Sequence, residues 1–425
     1  MRDLLLGRDP ADYDVATSAT PDEVMRIFSR TSAVGAQFGV VLVPLAVLAE
    51  AEAGGHIEVA TFRSDGAYLD GRHPDSVRYT TSARHDVERR DFTINGLLLN
   101  PLSHRPNMPD GELLDYVDGR RDLERGIVRA IGSPELRFAE DKLRMLRAVR
   151  FAARFDFTIE DATLAAMRSL ASQIHQVSSE RIRDELSRML TEGHARRAFH
   201  LLDETGLLHQ VLPEIARMKG VEQPPLFHPE GDVFVHTLLL LDGLPADCAL
   251  TLAWGALLHD VGKPATFRRA PDRIRFDGHV AIGVRMADDL LSRLRFSNHD
   301  REQILALVDN HMRFADVRHM KDSTFKRFVR LPDFDKHLAL HRLDCLASHG
   351  SLDLYDYTRE RLAALPVGAA RPVPLINGHD LIAAGFPPGP RFAEILAAVE
   401  DAQLDGTIAT HDEAMSFAAS HFPPS

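Results

Sequence analysis

With 425 residues and a formal net charge of −12, the chain is too long for one compact domain and too acidic for indiscriminate nucleic-acid binding. Two cysteines, Cys248 and Cys345, exclude a disulfide framework and fit a reducing cytoplasm. The longest apolar run, Phe38 to Ala49, is too short for a bilayer and is broken by Pro44, and no signal-peptide layout heads the chain, so a cytoplasmic protein without a membrane partner is expected.

In chain order, Arg2 to Thr17 comes first. It sets Asp12 and Asp14 two residues apart, just past a loop carrying Gly7, Arg8 and Pro10. Residues two apart in an extended segment project to one face, so the two carboxylates repel unless divalent cations sit between them, and hard Mg²⁺ suits such oxygens. Thr20 and Pro21 then open a helix as cap and first helical residue. Phe38–Val43 and Ile57–Arg63 read as β-strands, and alternation puts Glu58 on the polar face of the second, where it could become a third carboxylate of the same site. Next, Glu88–Leu97 packs Arg89, Arg90, Asp91 and Asn95 into one short element. Guanidinium groups there suit a nucleoside triphosphate; a surface ion pair is the plain alternative.

From about Asp118 strand patterns vanish and helical periodicity runs nearly to the end. The stretch Phe138–Arg150 is expected as one helix, with Asp141 and Arg144 three apart on one patch and Arg147 and Arg150 continuing the spacing. Such a pair can read a nucleobase edge. Cytosine and adenine each offer an amine for Asp141 and a bare ring nitrogen for Arg144, whereas uracil and guanine reverse the pattern. A surface ion pair between neighbouring turns is again the alternative. Arginines also gather between Gly119 and Arg197 (Arg120, Arg121, Arg129, Arg137, Arg181, Arg183, Arg188, Arg196, Arg197), which suggests a phosphate-tracking face.

Pro213, Pro224-Pro225 and Pro229 mark a connector, and Ala364 to Pro374 a second joint. Between them His259-Asp260 follows an apolar helix, Leu250 to Leu258, and is expected at its rim. His236, His279, His311 and Asp344 complete the order H…HD…H…H…D, with His228 ahead of them. Mixed imidazole and carboxylate ligands suit Mn, Fe, Co, Ni or Zn better than Mg alone.

These pieces, in this order, resemble the class II tRNA nucleotidyltransferases, the CCA-adding enzymes and bacterial poly(A) polymerases. Arg2–Arg8 with Asp12 and Asp14 is similar to the family's metal-binding motif, Arg89–Asn95 to its ribose and triphosphate motif, and Glu140-Asp141 with Arg144 and Arg147 to its nucleobase-reading element. Glu180–Ile182 with Glu185-Leu186 resembles the helical neck. Asp70-Gly71-Arg72-His73-Pro74 resembles the flexible loop, with Asp70 and Arg72, that full CCA-adding and A-adding members carry. The histidine–aspartate order resembles the HD phosphohydrolases; Asp260 would then bridge two metals, whose chemistry is the activation of water to attack phosphate. The family's strand and Gly-Gly pair before this first motif are not present; Met1 stands where a valine belongs, as a truncated start would give.

The resemblance implies an α+β protein: a catalytic head of small mixed sheet (1–118, its first strand missing), a base-reading and RNA-binding helical neck (119–215), an HD domain (216–363) and a helical tail (364–425). It implies addition of C and A, from CTP and ATP, to the 3′ end of tRNA. Asp12 and Asp14 would hold two Mg²⁺ ions, with Glu58 as a third catalytic group. Arg2, Arg90, Asp91, Asn95, Asp141, Arg144, Arg147 and Arg150 would bind the nucleotide. A transition metal such as Mn, Fe, Co or Ni would sit on His236, His259, Asp260, His279, His311 and Asp344. The alternatives are an A-only enzyme or poly(A) polymerase, an HD phosphohydrolase with an inactive head, and a non-catalytic RNA-binding module.

Overall fold

A capping box starts the helix Pro21–Ile27: the Thr20 side chain and the N3 residue Glu23 satisfy each other's backbone N–H groups, with Pro21 in the first turn. This is the start expected from Thr20 and Pro21. The computed structural model describes residues 1–10, 12–28, 30–32, 39–44, 55–66, 77–103, 111–225, 228–229 and 231–423. The chain divides into two compact units. The first comprises Met1–Arg217, Pro245–Asp247 and Ser292–Phe296; the second comprises Met218–Leu244, Cys248–Leu291 and Ser297–Ser425.

In the first unit, β1 (Val15–Thr17), β2 (Val40–Pro44) and β3 (His56–Thr61) form a mixed sheet in the order β1-β3-β2, β1 parallel and β2 antiparallel to β3. Val41, Val43 and Val59 alternate along the strands and bury one face against Val24 of the helix Pro21–Ile27. Two antiparallel pairs follow, Arg63–Asp65 with Val77–Tyr79 and Leu97–Asn100 with Glu112–Asp115. The turn Thr93–Asn95 lies so close to the start of helix Gly119–Arg125 that a Cβ on Gly119 would stand 2.1 Å from the Thr93 carbonyl oxygen, which only glycine allows. The helix Leu143–Phe155 packs against Ser179–Thr191 and Ala195–Glu204, with Met145, Leu146, Val149 and Phe151 buried. Strands do not vanish after Asp118 as expected. Ile127–Val128 pairs in parallel with Thr158–Ile159, and Arg268–Arg269 with Ile274–Arg275, but two residues carry no readable alternation.

Among its described residues, the second unit is helical apart from the strand pair Arg268–Arg269 and Ile274–Arg275. Val233–Asp242, Leu250–Leu258, Asn298–Asn310 and Phe334–Ala347 pack on one another. The last three helices, Gly378–Ala383, Arg391–Leu404 and His411–His421, carry a cluster of their own around Leu381, Phe386, Ile395 and Val399. Glu400 joins them to the helix Asp322–Val329 and its cap, accepting from Arg327 at 2.8 Å and Arg330 at 2.6 Å. The architecture is α+β, a head of small sheets followed by a helical body.

Candidate active site and candidate metal centre

Asp14 directly precedes β1, and one step back from the parallel pair Val15↔Val59 lies Glu58 on β3, the residue Asp14 neighbours across the strands. Glu58 is exposed while Val59 faces the core, as the alternation predicts. Burial and then the charge of Asp12 push the Asp14 carboxyl above its ordinary value, with Arg90 and the amino terminus opposing. Two carboxylates within electrostatic reach of each other, both facing outward, are a donor set that a hard divalent cation fits.

The Arg-Arg-Asp element is a network rather than a row of free cations. Asp86, 3% exposed, holds both arginines: Arg90 by Nη2 at 3.0 Å and Arg89 by Nε at 3.0 Å. Arg90 also donates to the Asn95 carbonyl at 3.2 Å. Asp91 accepts from the Asn95 amide and the Phe92 N–H at 2.9 Å each, and from Arg147 Nε at 2.9 Å. Burial alone would raise Asp91, but the Arg147 charge and these hydrogen bonds outweigh it and hold the carboxyl below its usual range. Arg2 completes the set. Its guanidinium donates to the Asn95 side chain and lies over Phe151 and Phe155, 4.7 and 4.6 Å from their centroids. Arg150 is 5% exposed and engaged by Glu185 at 2.7 Å and Glu192 at 3.5 Å; Arg147 reaches the same Glu185 at 3.8 Å, and both guanidiniums lie over Phe151.

Phe138–Arg150 is not one helix. Pro134–Glu140 ends at Asp141, whose φ of −147° and ψ of 107° are extended, and Leu143–Phe155 begins two residues on. The Asp141 side chain causes the break locally by accepting from the Leu143 N–H at 3.0 Å, as a capping carboxylate does. Asp141 and Arg144 are not ion-paired with each other. Arg181 holds Asp141 by 2.7 and 3.3 Å contacts, while Arg144 donates to Glu140, to the Arg137 carbonyl at 3.0 Å and to the Arg89 carbonyl at 3.1 Å. Asp86 was not singled out from the sequence, and Glu140, Arg181 and Glu185 were named within motifs or the basic stretch without a place in the site. For Asp86 the signal was there, three and four residues before Arg89 and Arg90 on a helix. The expected basic face is thinner than the arginine count suggests, because Arg120, Arg129, Arg137, Arg181, Arg183 and Arg197 are ion-paired. The loop residues Asp70 and Arg72 lie outside the described residues.

In the second unit five elements bring the histidines together. His236 stands on Val233–Asp242, whose N-terminus Asp232 caps, and Asp344 stands on Phe334–Ala347. His259 and Asp260 end Leu250–Leu258, His279 begins His279–Arg293, and His311 ends Asn298–Asn310. The His-Asp pair is buried, 1% and 2% exposed, not at a rim as expected. Lys263 and Pro264 start another short helix there, and Lys263 folds back to within 2.7 Å of Asp260.

Asp260 sits at the centre. One oxygen lies 3.1 Å from His259 Nε2 and 3.9 Å from His236 Nε2, the other 3.7 Å from His279 Nε2 and 3.8 Å from His311 Nε2. His236 Nε2 is also 3.1 Å from Asp344, and His228 packs edge-on against His236. His259, His279 and His311 each turn Nδ1 to the carbonyl three residues earlier, at 2.8, 3.0 and 2.7 Å. A carbonyl only accepts, so Nδ1 carries a proton and Nε2 is the atom each ring turns inward. The Nε2 atoms of His279 and His311 face each other at 3.4 Å, which a shared cation would relieve. Burial, then the neighbouring His259 charge, takes His311 down to about 4, so it stays a neutral ligand at pH 7. Asp260 is held well below the carboxylate range despite burial, first by the charges of His259 and Lys263. Two three-residue groups, His236–His259–Asp260 and Asp260–His279–His311, share one carboxylate. Such a donor set fits two transition-metal ions.

Comparison with known proteins supplies the family. Residues 1–129 match the poly A polymerase head domain, 156–219 the probable RNA- and SrmB-binding site of polymerase A, and 279–418 the family described as tRNA nucleotidyltransferase domain 2. An A-adding tRNA nucleotidyltransferase of Deinococcus radiodurans is 36% identical over 81% of this chain and 80% of its own length. The chain belongs to the class II tRNA nucleotidyltransferase family. A CCA-adding enzyme of Lactobacillus johnsonii is 31% identical to this nucleotidyltransferase, over 98% of this chain and 90% of its own. The structure of the Bacillus stearothermophilus CCA-adding enzyme in complex with CTP superposes with a TM-score of 0.71 at 27% identity, covering 99% of this nucleotidyltransferase and 91% of that enzyme.

Proposed function

We propose that this nucleotidyltransferase adds C and A to the 3′ end of tRNA from CTP and ATP without a nucleic-acid template, in the cytoplasm. The observation that carries the reading is the pair of mutually repelling carboxylates, Asp12 and Asp14, set beside the Asp86–Arg90 and Asp91–Arg147 networks in a chain akin to CCA-adding enzymes over nearly its whole length. In this reading Asp12 and Asp14 hold Mg²⁺, which when bound polarises the primer hydroxyl and neutralises charge on the departing pyrophosphate. Glu58, beside Asp14 on β3, orients the primer end. Arg90 and Arg147 hold phosphates, each steadied by a carboxylate behind it, and Asn95 with Asp91 meets the ribose. Arg2 braces Asn95 from the aromatic pair, and Arg150 fixes the neck through Glu185. Asp141 and Arg144 read the base.

The test uses tRNA ending at its discriminator base. Extension by three nucleotides only when CTP and ATP are both supplied supports CCA addition. Extension by ATP alone, and only of tRNA already ending in CC, replaces it with A addition, the activity named for the Deinococcus relative. Asp12→Ala lowers the rate by about a thousandfold or more if the carboxylate holds the metal; an unchanged rate removes the two-metal assignment.

The second unit carries its own reading, supported by the two histidine groups sharing Asp260: an HD-type two-metal centre of Mn, Fe, Co or Ni with phosphohydrolase chemistry. The bound metals would supply an activated water, while the carbonyl anchors hold the histidine rings in a fixed orientation toward Asp260. Metal analysis of the purified protein checks this. Two transition-metal ions per chain, lost in His259→Ala with nucleotide addition retained, are expected; a metal-free wild type sinks it.

A further inference from the structure

Arg181, on the neck helix Ser179–Thr191, grips both oxygens of Asp141, with Nη2 2.7 Å from Oδ2 and Nη1 3.3 Å from Oδ1. The two side chains are 23% and 16% exposed, so the contact is largely screened from water. The Leu143 N–H takes a further place on Oδ1 at 3.0 Å. A carboxylate oxygen has about two lone-pair sites. Oδ1 is therefore filled, and Oδ2 keeps a single acceptor site.

Arg144 is restrained just as closely from the other side. Its Nη1 donates to the Arg137 carbonyl at 3.0 Å and to Glu140, and its Nη2 to the Arg89 carbonyl at 3.1 Å. A guanidinium has about five N–H donors, so Nε–H and one Nη2–H remain open. The base-facing inventory thus comes down to one acceptor and a small set of donors, each fixed by a separate part of the first unit. That is the complement of cytosine and adenine.

We infer that Arg181 is a specificity-determining residue of the nucleotidyl transfer: by its two-pronged hold it orients Asp141 so that one open oxygen site meets an exocyclic amine and that position offers no donor to a carbonyl. The inference rests on the reading that Asp141 and Arg144 contact the base. The physics is in what happens without the guanidinium. The terminal torsion of an aspartate is broad, so an unheld carboxylate turns, and water takes its vacated sites. A water bound there can donate its second hydrogen onward to a carbonyl oxygen, which gives uracil and guanine a partner. Selectivity then falls further than catalysis. Lysine at this position keeps the charge but cannot reproduce the parallel pair of hydrogen bonds.

The experiment measures kcat/KM for CTP, UTP, ATP and GTP on tRNA lacking its end, for wild type, Arg181→Ala, Arg181→Lys and Asp141→Ala, with equilibrium binding of CTP and UTP to each protein as a second readout. Arg181→Ala is expected to lower the CTP-over-UTP preference roughly tenfold or more, in binding as well as in turnover. Arg181→Lys should recover overall rate better than preference. If Arg181→Ala slows all four nucleotides by one common factor and leaves the binding ratio unchanged, Arg181 only braces the neck and the inference is overturned. Asp141→Ala separates the two levels. Loss of preference there with preference kept in Arg181→Ala refutes the role of Arg181 alone, whereas preference kept in Asp141→Ala refutes the base-reading assignment beneath it.

Discussion

Asp91 is 8% exposed and its ionised form depends on Arg147, a residue 56 positions away. Removing the guanidinium leaves a buried carboxylate whose desolvation is no longer offset. Arg147→Ala is therefore expected to cost about 2 kcal/mol of stability, less than for a fully buried pair because the Arg147 side chain is 31% exposed. Chemical denaturation measures it, and adding Asp91→Asn to the same chain should recover part of the loss. At this scale the sequence was informative about residue type and poor about partnership. Arg90, Asp91, Asn95, Asp141 and Arg144 could be singled out because charged and amide groups crowd two short stretches. That Asp91 answers to Arg147, and Asp141 to Arg181 rather than Arg144, could not, since ion pairs across 40 to 56 residues exist only once the neck is folded. The histidine–aspartate cluster around Asp260 was more legible, because histidines and aspartates on several helices leave a spaced signature even when the helices are far apart in sequence.

At the scale of the element, two short contacts decide how closely pieces approach. A Cβ on Gly262 would stand 2.1 Å from the carbonyl oxygen of His279 and 2.6 Å from the Gly283 nitrogen. Backbone cannot yield as a side chain tip can, so Gly262→Ala should push the helix His279–Arg293 away from Asp260. A loss of about 1–3 kcal/mol in stability is expected, with weakened metal retention in the same protein; a variant with unchanged melting and metal content would show that the contact is soft. The helix Pro21–Ile27 and the strands β2 and β3 could be read from their capping pair and their valine alternation. The interruption at Asp141 could not. Apolar periodicity runs on through 138–150, and only the carboxylate's preference for the Leu143 N–H ends one helix and starts another.

For the whole molecule, acid should act on the second unit. Burial, then the nearby Arg313 charge, takes His337 down to about 4; burial takes His341, stacked on Phe314 at 4.2 Å, to the same range. With folded values below the ordinary 6.5, the unfolded chain binds more protons between about pH 6.5 and 4, so stability is full above this window and falls as pH drops through it. Each group should contribute on the order of 1–2 kcal/mol of loss between pH 6.5 and 5. Thermal unfolding across that range measures it, and His341→Phe should flatten the acid limb; an unaltered limb would exclude His341. The α+β arrangement was legible because strand and helix periodicities occupy different stretches. The unit boundaries were less so, since compaction joins segments that sequence separates. The first unit is completed by Pro245–Asp247 and Ser292–Phe296, where Asp247 donates to the Thr191 carbonyl at 2.8 Å and Arg293 holds Glu214 at 2.7 Å. A gene shortened after Arg217 would thus encode a head and neck missing two of their own pieces. Shuffling this enzyme's parts, in the laboratory or in evolution, has to carry the interleaved returns along or replace what they seal.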